Sequence, residues 1–261
     1  MSQSNFQNLT LERQGNVFIL TLQKPPENRL NSGFCQEIIR AFHYIQKELG
    51  AASEGAVVTR GQGEKFFCTG LELDETDRNP FANTDGFYPM LHTIMDFPFP
   101  TIALINGHVF GGGVPFVLSH DYRVMNSERG YLSMVHTPIT SLYQNSRLTT
   151  SQPPVDLGLH FDGIGSLPRL KLSPQIARKM LLEAHRWTGK EALSDGIVDL
   201  IASPDAMFQA ALDLAKKWAP KAKMGVYGLL RDELWGDAAR KFQKISYVHS
   251  RQTGRPALVK L

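Results

Sequence analysis

The chain has 261 residues, room for one large domain or for a domain and a smaller appendage. Its 42% hydrophobic and 20% charged residues match an ordinary globular protein, so neither disorder nor a membrane span is expected to dominate. A formal net charge of +3, from 28 basic and 25 acidic side chains, is too small to point to nucleic acid. Lys216, Lys217, Lys221 and Lys223 read as a solvated helix end.

The run Val17-Phe18-Ile19-Leu20-Thr21-Leu22 is short, apolar and rich in strand formers, and Pro25-Pro26 ends it. Phe34, Ile38, Phe42, Ile45 and Leu49 then recur at helical spacing, with Gly50 placed to stop the helix. A second buried strand follows at Ala56-Val57-Val58-Thr59, and Phe66-Phe67-Cys68 leads into Thr69-Gly70-Leu71. Residues 87–95 read as a helix halted by Pro98 and Pro100, residues 101–106 as a strand, and residues 114–120 as a helix entered through Gly111-Gly112-Gly113. Residues 122–125 and 131–134 are strand-like. Cys35 falls in a helical pattern and Cys68 at a strand end; both read as buried thiols of a reducing compartment, not as a disulfide or metal site.

The C-terminal part changes character. Ser173-Pro174 is an N-cap followed by proline at the first helical position, opening a helix through Ala184. Thr188-Gly189-Lys190-Glu191 is a capping box. Ser203-Pro204-Asp205 opens a helix carrying Phe208, Leu212 and Trp218, and residues 227–242 form another. Strands alternating with helices, then helices alone, predict an α/β core over 1–200 and a helical region over 201–261. Residues 1–15 lack the basic-then-apolar pattern of a secretion signal.

Residues 135–152 have neither helical nor strand periodicity and are rich in Ser, Thr, Gln and Asn. So long a structureless stretch is uncommon inside a compact domain. It is an atypical insertion with two readings. One is a genuine surface loop. The other is an in-frame unspliced intron, since valine codons begin with GT and glutamine can be CAG. The sequence of the main transcript separates the two.

Two places offer backbone N–H donors to a ligand. One is the glycine triplet, where free N–H groups enter a helix and no side chain blocks approach. The other is the turn at Gly70, with the Leu71 N–H just beyond it. Paired donors of this kind stabilise a developing oxyanion.

Phe67-Cys68-Thr69-Gly70-Leu71-Glu72-Leu73 resembles the crotonase signature Phe-Cys-Ala-Gly-x-Asp-Leu. Residues 100–113, from Pro100-Thr101-Ile102-Ala103 through Asn106-Gly107 to the glycine triplet, are similar to that family's second signature. Asp121-Tyr122-Arg123 follows at the usual offset, and Glu191-Ala192-Leu193 with Gly196-Ile197-Val198-Asp199 resembles the segment near the family's domain junction. The resemblance covers nearly the whole chain. It implies a crotonase-like α/β fold, a spiral of ββα units with a C-terminal helical oligomerisation region, and a trimer or hexamer of identical chains.

It also implies an acyl-CoA thioester as substrate, with CoA as its handle and no metal or further cofactor. By position, the oxyanion donors fall on the Leu71 and Gly112 N–H groups. The CoA-contacting loop falls on Asn28, Arg29 and Leu30, where Arg29 either pairs a phosphate or is a surface side chain. Thr69 falls where the family's backbone meets the adenine.

The acid/base positions depart from the family. A hydratase glutamate two residues after the glycine triplet is Pro115 here. The glutamate that precedes a Val-Asp-Leu-Gly run in the Δ3-Δ2-enoyl-CoA isomerase branch falls on Pro154, before Val155-Asp156-Leu157-Gly158. Aligned without removing the insertion, that position is His136. No alignment supplies a carboxylate. Tyr88 and His92, four apart on one helix, share a face and are substitute candidates, His92 as a proton shuttle or as a packing residue. Asp74 and Glu75 read as solvated helix-start residues and Glu72 as structural.

The expected activity is that of an enoyl-CoA isomerase/hydratase-type enzyme moving a double bond, for which one base suffices. The alternative is a crotonase-fold protein that binds acyl-CoA without turning it over. Val259-Lys260-Leu261 resembles the peroxisomal Ser-Lys-Leu address, with valine in place of the small first residue. The expected location is therefore peroxisomal or cytoplasmic.

Overall fold

The computed structural model describes residues 6–134 and 160–247. The insertion at 135–152, with His136, and Pro154, Asp156 and Val259-Lys260-Leu261 lie outside the described residues.

Two sheets form the frame. In the larger, Leu9–Gln14 (β1), Val17–Leu22 (β2), Ala56–Gly61 (β3), Thr101–Ile105 (β5), Tyr122–Asn126 (β7) and Leu200–Ala202 (β9) lie in the order β1-β2-β3-β5-β7-β9. Only β1 and β2 pair antiparallel. The smaller sheet joins Phe66–Cys68 (β4), His108–Phe110 (β6) and Leu132–Ser133 (β8), all parallel. The chain thus visits the sheets alternately: β3 then β4, β5 then β6, β7 then β8. This is the ββα spiral that the resemblance implies. Strands β2 and β5 are buried at every position, because both faces of a parallel sheet are covered, so they read as continuous apolar runs.

Helix α1, Ser32–Leu49, buries Phe34, Ile38, Phe42 and Ile45, each burial worth roughly 1.5–3 kcal/mol. Asn31 caps it by accepting from Phe34 N at 2.8 Å. Leu73–Arg78 (α2) follows β4, and a single π turn at Asn83–Phe87 precedes Tyr88–Met95 (α3), which begins one residue later than the periodicity predicts. Gly113–Ser119 (α4) follows β6. Ser166–Lys171 (α5), Pro174–Leu182 (α6) and Gly189–Ser194 (α7) come next, with the Thr188–Glu191 capping box formed as expected. Helix α6 ends two residues earlier than its sequence pattern suggests.

Met207–Trp218 (α8) covers one face of the large sheet, with Met207, Ala211, Leu212 and Ala215 packed on Val58, Ile102 and Leu104. Trp218 stacks on Tyr122 at 5.4 Å, and Phe208 lies under the Arg60 guanidinium. Phe208, Leu212 and Trp218 therefore serve the chain's own core. Tyr227–Tyr247 (α9) is longer than the predicted 227–242 and lies along α3. No described helix is long and apolar enough to cross a membrane.

A buried ion pair fastens α9. Arg231 donates to both Asp121 oxygens at 3.2 and 3.0 Å and to the Phe97 carbonyl, while Asp121 Oδ2 also accepts from Thr101 N and Oγ1 at 2.9 and 3.1 Å. Removing one partner from such a pair typically costs about 3–5 kcal/mol, because the other charge is left buried. Arg123 donates to the Ile197 carbonyl at 2.7 Å and pairs with Asp199 at 3.1 Å, so two of the sequence motifs lock together.

His120, fully buried at the end of α4, donates from Nδ1 to the Phe116 carbonyl at 2.9 Å. Its bare Nε2 accepts from the Thr59 hydroxyl at 3.0 Å. Burial pushes its pKa down to about 3. The folded value thus lies below the unfolded value of about 6.5. Its contribution is complete above that unfolded value and is lost, at about 1.4 kcal/mol per pH unit, as pH falls from there toward 3. Urea unfolding at pH 7 and pH 5 is expected to show a drop of about 2 kcal/mol from this group. His120→Gln, though less stable overall, should show a shallower drop.

Candidate active site

The turn after β4 and the turn after β6 touch. Gly70 has φ +96°, and a Cβ there would lie 2.8 Å from Gly112 N and 2.9 Å from the Phe110 carbonyl oxygen. No other residue type fits that conformation and that gap together. A Cβ on Gly112 would in turn lie 3.4 Å from Leu71 N. The Leu71 and Gly112 N–H groups are therefore neighbours, and among the described residues neither is donated to a carbonyl. Two adjacent uncommitted donors on fixed backbone have the arrangement that can hold a developing oxyanion.

Leu30 holds the first donor. It bridges to Leu71 in parallel fashion, its N–H donating to Gly70 O at 2.7 Å and its carbonyl accepting from Glu72 N at 2.8 Å. Asn28, at φ +51°, accepts from Lys24 N at 2.9 Å and donates to the Phe67 carbonyl at 3.0 Å. Thr69, fully buried, donates its hydroxyl to Glu27 at 3.0 Å. The side chains of Asn28 and Thr69 are thus engaged in joining the two loops, which leaves backbone as what they can present to a ligand. Arg29 pairs with Glu27 at 2.8 Å, but its buried Nη1 has no partner among the described residues.

Two acidic residues just past this turn, Glu72 and Glu75, are committed. Glu72 takes Lys24 Nζ and Asn31 Nδ2, a structural role as the sequence suggests. Glu75 is not simply solvated: it accepts from Ser32 N at 2.8 Å and Ser32 Oγ at 2.5 Å, closing the open start of α1. Cys35 and Cys68 are both buried. Burial pushes the Cys68 thiol up to about 12 and the Cys35 thiol well above its usual range, so neither is a nucleophile at neutral pH.

Pro115 is buried in the first turn of α4, close behind the Gly112 donor, and has no proton to move. On α3, Tyr88 is buried and stacks on Phe242 of α9 at 6.1 Å. Burial first, and the charge of Asp162 second, push its phenol above its usual range, so it stays protonated and is not a base. His92 is half-buried, and its Nδ1 is buried without a partner among the described residues. Asp162 is the residue that motif reading overlooks. It belongs to no signature, and only packing beneath α9 marks it.

A spiral of ββα units with two backbone donors meeting between its turns defines the crotonase class of fold. The chain matches the enoyl-CoA hydratase/isomerase family over residues 12–248 and belongs to it. It is 31% identical over 244 residues to enoyl-CoA delta isomerase 3 of Arabidopsis thaliana, covering 88% of this chain and 93% of the relative. Enoyl-CoA delta isomerase 2, peroxisomal, of the same plant is 30% identical over 240 residues, covering 87% and 91%. The crystal structure of an enoyl-CoA hydratase from Mycobacterium marinum superposes with a TM-score of 0.78 at 16% identity, over 95% of this chain and 100% of that one.

The raised thiols carry a direct consequence. Both cysteines of the sequence should be silent to Ellman's reagent at pH 8 in the native protein, and both should react once it is unfolded in urea. Rapid reaction of either in the native state would contradict their burial.

Proposed function

We propose that this chain is an acyl-CoA enzyme of the enoyl-CoA isomerase type, holding a thioester enolate between the Leu71 and Gly112 N–H groups while a double bond moves. The observation that carries the reading is the adjacency of those two uncommitted donors. Isomerisation suits the rest of the site. It needs one group to lift an allylic proton and return it, whereas hydration needs a positioned water and a proton donor as well. Pro115 cannot serve as that donor. Tyr88 and His92 border the reaction from α3. CoA enters as part of the substrate, along the loop of Asn28, Arg29 and Leu30 and the turn at Thr69, with Arg29 Nη1 free to meet a phosphate. A purely binding role is the weaker reading, since the two plant relatives just described are named as isomerases. The peroxisome or the cytoplasm is the proposed location.

The test is turnover of 3-enoyl-CoA by the purified protein, with crotonyl-CoA hydration expected to be feeble. Gly112→Pro, read against Gly112→Ala, tests the hole: both add a Cβ 3.0 Å from Leu71 Cγ, but proline, which adopts the φ of −60° found here, donates no N–H. The absorbance shift of a bound chromophoric enoyl-thioester should disappear and kcat should fall roughly 10²–10³-fold. An unchanged shift would show that the hole lies elsewhere.

We also propose a homo-oligomer. Met224, Val226, Leu229, Leu230 and Leu234 are exposed along the start of α9 and just before it, more apolar surface than solvent favours. Light scattering at micromolar concentration should give a mass above that of one chain, and Leu230→Lys with Leu234→Lys should lower it. A monomer in the unaltered protein would reject the assembly.

A further inference from the structure

Resting on the isomerase reading above, we propose that Asp162 is the catalytic base that stands in for the two absent glutamates. Glu27, Glu72 and Glu75, three of the carboxylates near the Gly70 turn, are tied by hydrogen bonds; Asp74 lies at the start of α2, away from α3 in sequence and on the Leu71 side of the turn. Asp162 is half-buried and makes no hydrogen bond or ion pair among the described residues. It is therefore a partly exposed carboxylate with no partner among the described residues.

Its placement comes from α9. Asp162 sits between buried Phe161 and Gly163. A Cβ on Gly163 would lie 2.9 Å from Ile245 Cδ1 and 3.3 Å from a ring carbon of Phe242, so this turn presses directly on α9. Tyr88 stacks on the same Phe242. One aromatic side chain thus receives the Asp162 turn and the Tyr88 ring together. The charge of Asp162 is felt at the Tyr88 hydroxyl, an independent sign that the two are close. Tyr88 belongs to α3, and α3 packs against α4, the helix that Gly112 opens. The arrangement places a carboxylate and a protonated phenol on the α3 side of the oxyanion hole.

The chemistry balances with this one group. The Asp162 carboxylate takes a proton from C2 of a 3-enoyl-CoA. The C–H electron pair delocalises over the thioester carbonyl and the 3,4 double bond, with the oxyanion held by the Leu71 and Gly112 N–H groups. The Asp162 carboxylic acid then returns the proton to C4. The double bond ends between C2 and C3, the carboxylate is regenerated, and nothing is oxidised or reduced.

Asp162→Asn keeps the shape and removes the basicity. With 3-enoyl-CoA, kcat is expected to fall about 10²–10⁴-fold. The absorbance shift of a bound enoyl-thioester should persist, because the backbone hole is untouched. Full turnover by Asp162→Asn beside an active unaltered protein overturns the base assignment and leaves the isomerase reading standing. An unaltered protein that neither isomerises 3-enoyl-CoA nor exchanges its C2 protons with D2O overturns both. If Asp162→Asn also loses the absorbance shift, Asp162→Glu decides: turnover recovered above the Asn variant supports the assignment, and none recovered rejects it.

Discussion

The structure depends on one close approach, that of the Gly70 turn to Gly112, with no side chain between them. A single Cβ at Gly70 would fall within 3 Å of both Gly112 N and Phe110 O. Its absence lets two peptide N–H groups from different turns of the spiral share one small volume. The smaller sheet brings the turns to the same level, because β4 and β6 pair in parallel, with a shift of register between Phe66 and Cys68, and each ends two or three residues before its donor. The polar net of Lys24, Glu27, Asn28, Thr69 and Glu72 then fixes the Leu71 turn from the other side. Without that net the first donor would sit on a free loop, and preorganised donors are what make such a hole effective.

A second constraint acts from the far end of the chain. Arg231 reaches Asp121 across 110 positions of sequence and finds it already bound to Thr101 at the start of β5. The pair is desolvated on both sides, which makes it a poor source of net stability but an unforgiving locator. It sets α9 along α3, and this brings Phe242 against Tyr88 and against the turn that carries Asp162. The α3 side of the candidate site is thus completed by a helix that contributes no motif.

What the sequence discloses follows from the range of the interactions involved. Strand β2, helix α1 and the Thr188–Glu191 capping box are legible because their signals are local: a burial run, a helical period, a cap three residues from its partner. The touching turns at Gly70 and Gly112 are legible because glycine at a close approach leaves a short, fixed pattern. Strands β6 and β9, three residues each, are not, since only their neighbours in the sheet make them strands. Glu75 reads as a solvated residue until Ser32 is seen opposite it. Phe208, Leu212 and Trp218 look equally suited to a core or an interface, and only the sheet beneath α8 decides. Asp162 escapes for the same reason: its meaning lies in Phe242 and Tyr88, distant in sequence and silent as motifs.

A hole made of peptide groups has a particular inheritance. Side-chain replacement at Leu71 leaves its N–H in place, so drift there changes packing and not the donor. Acidic side chains have no such protection, and one codon change removes each of them. The two halves of the chemistry therefore age at different rates. The polarising half persists through substitutions that empty the proton-transfer half, and a new base can be recruited from any segment that faces the same volume. A chain built this way can change its acid and base without ever passing through a form that no longer activates its substrate.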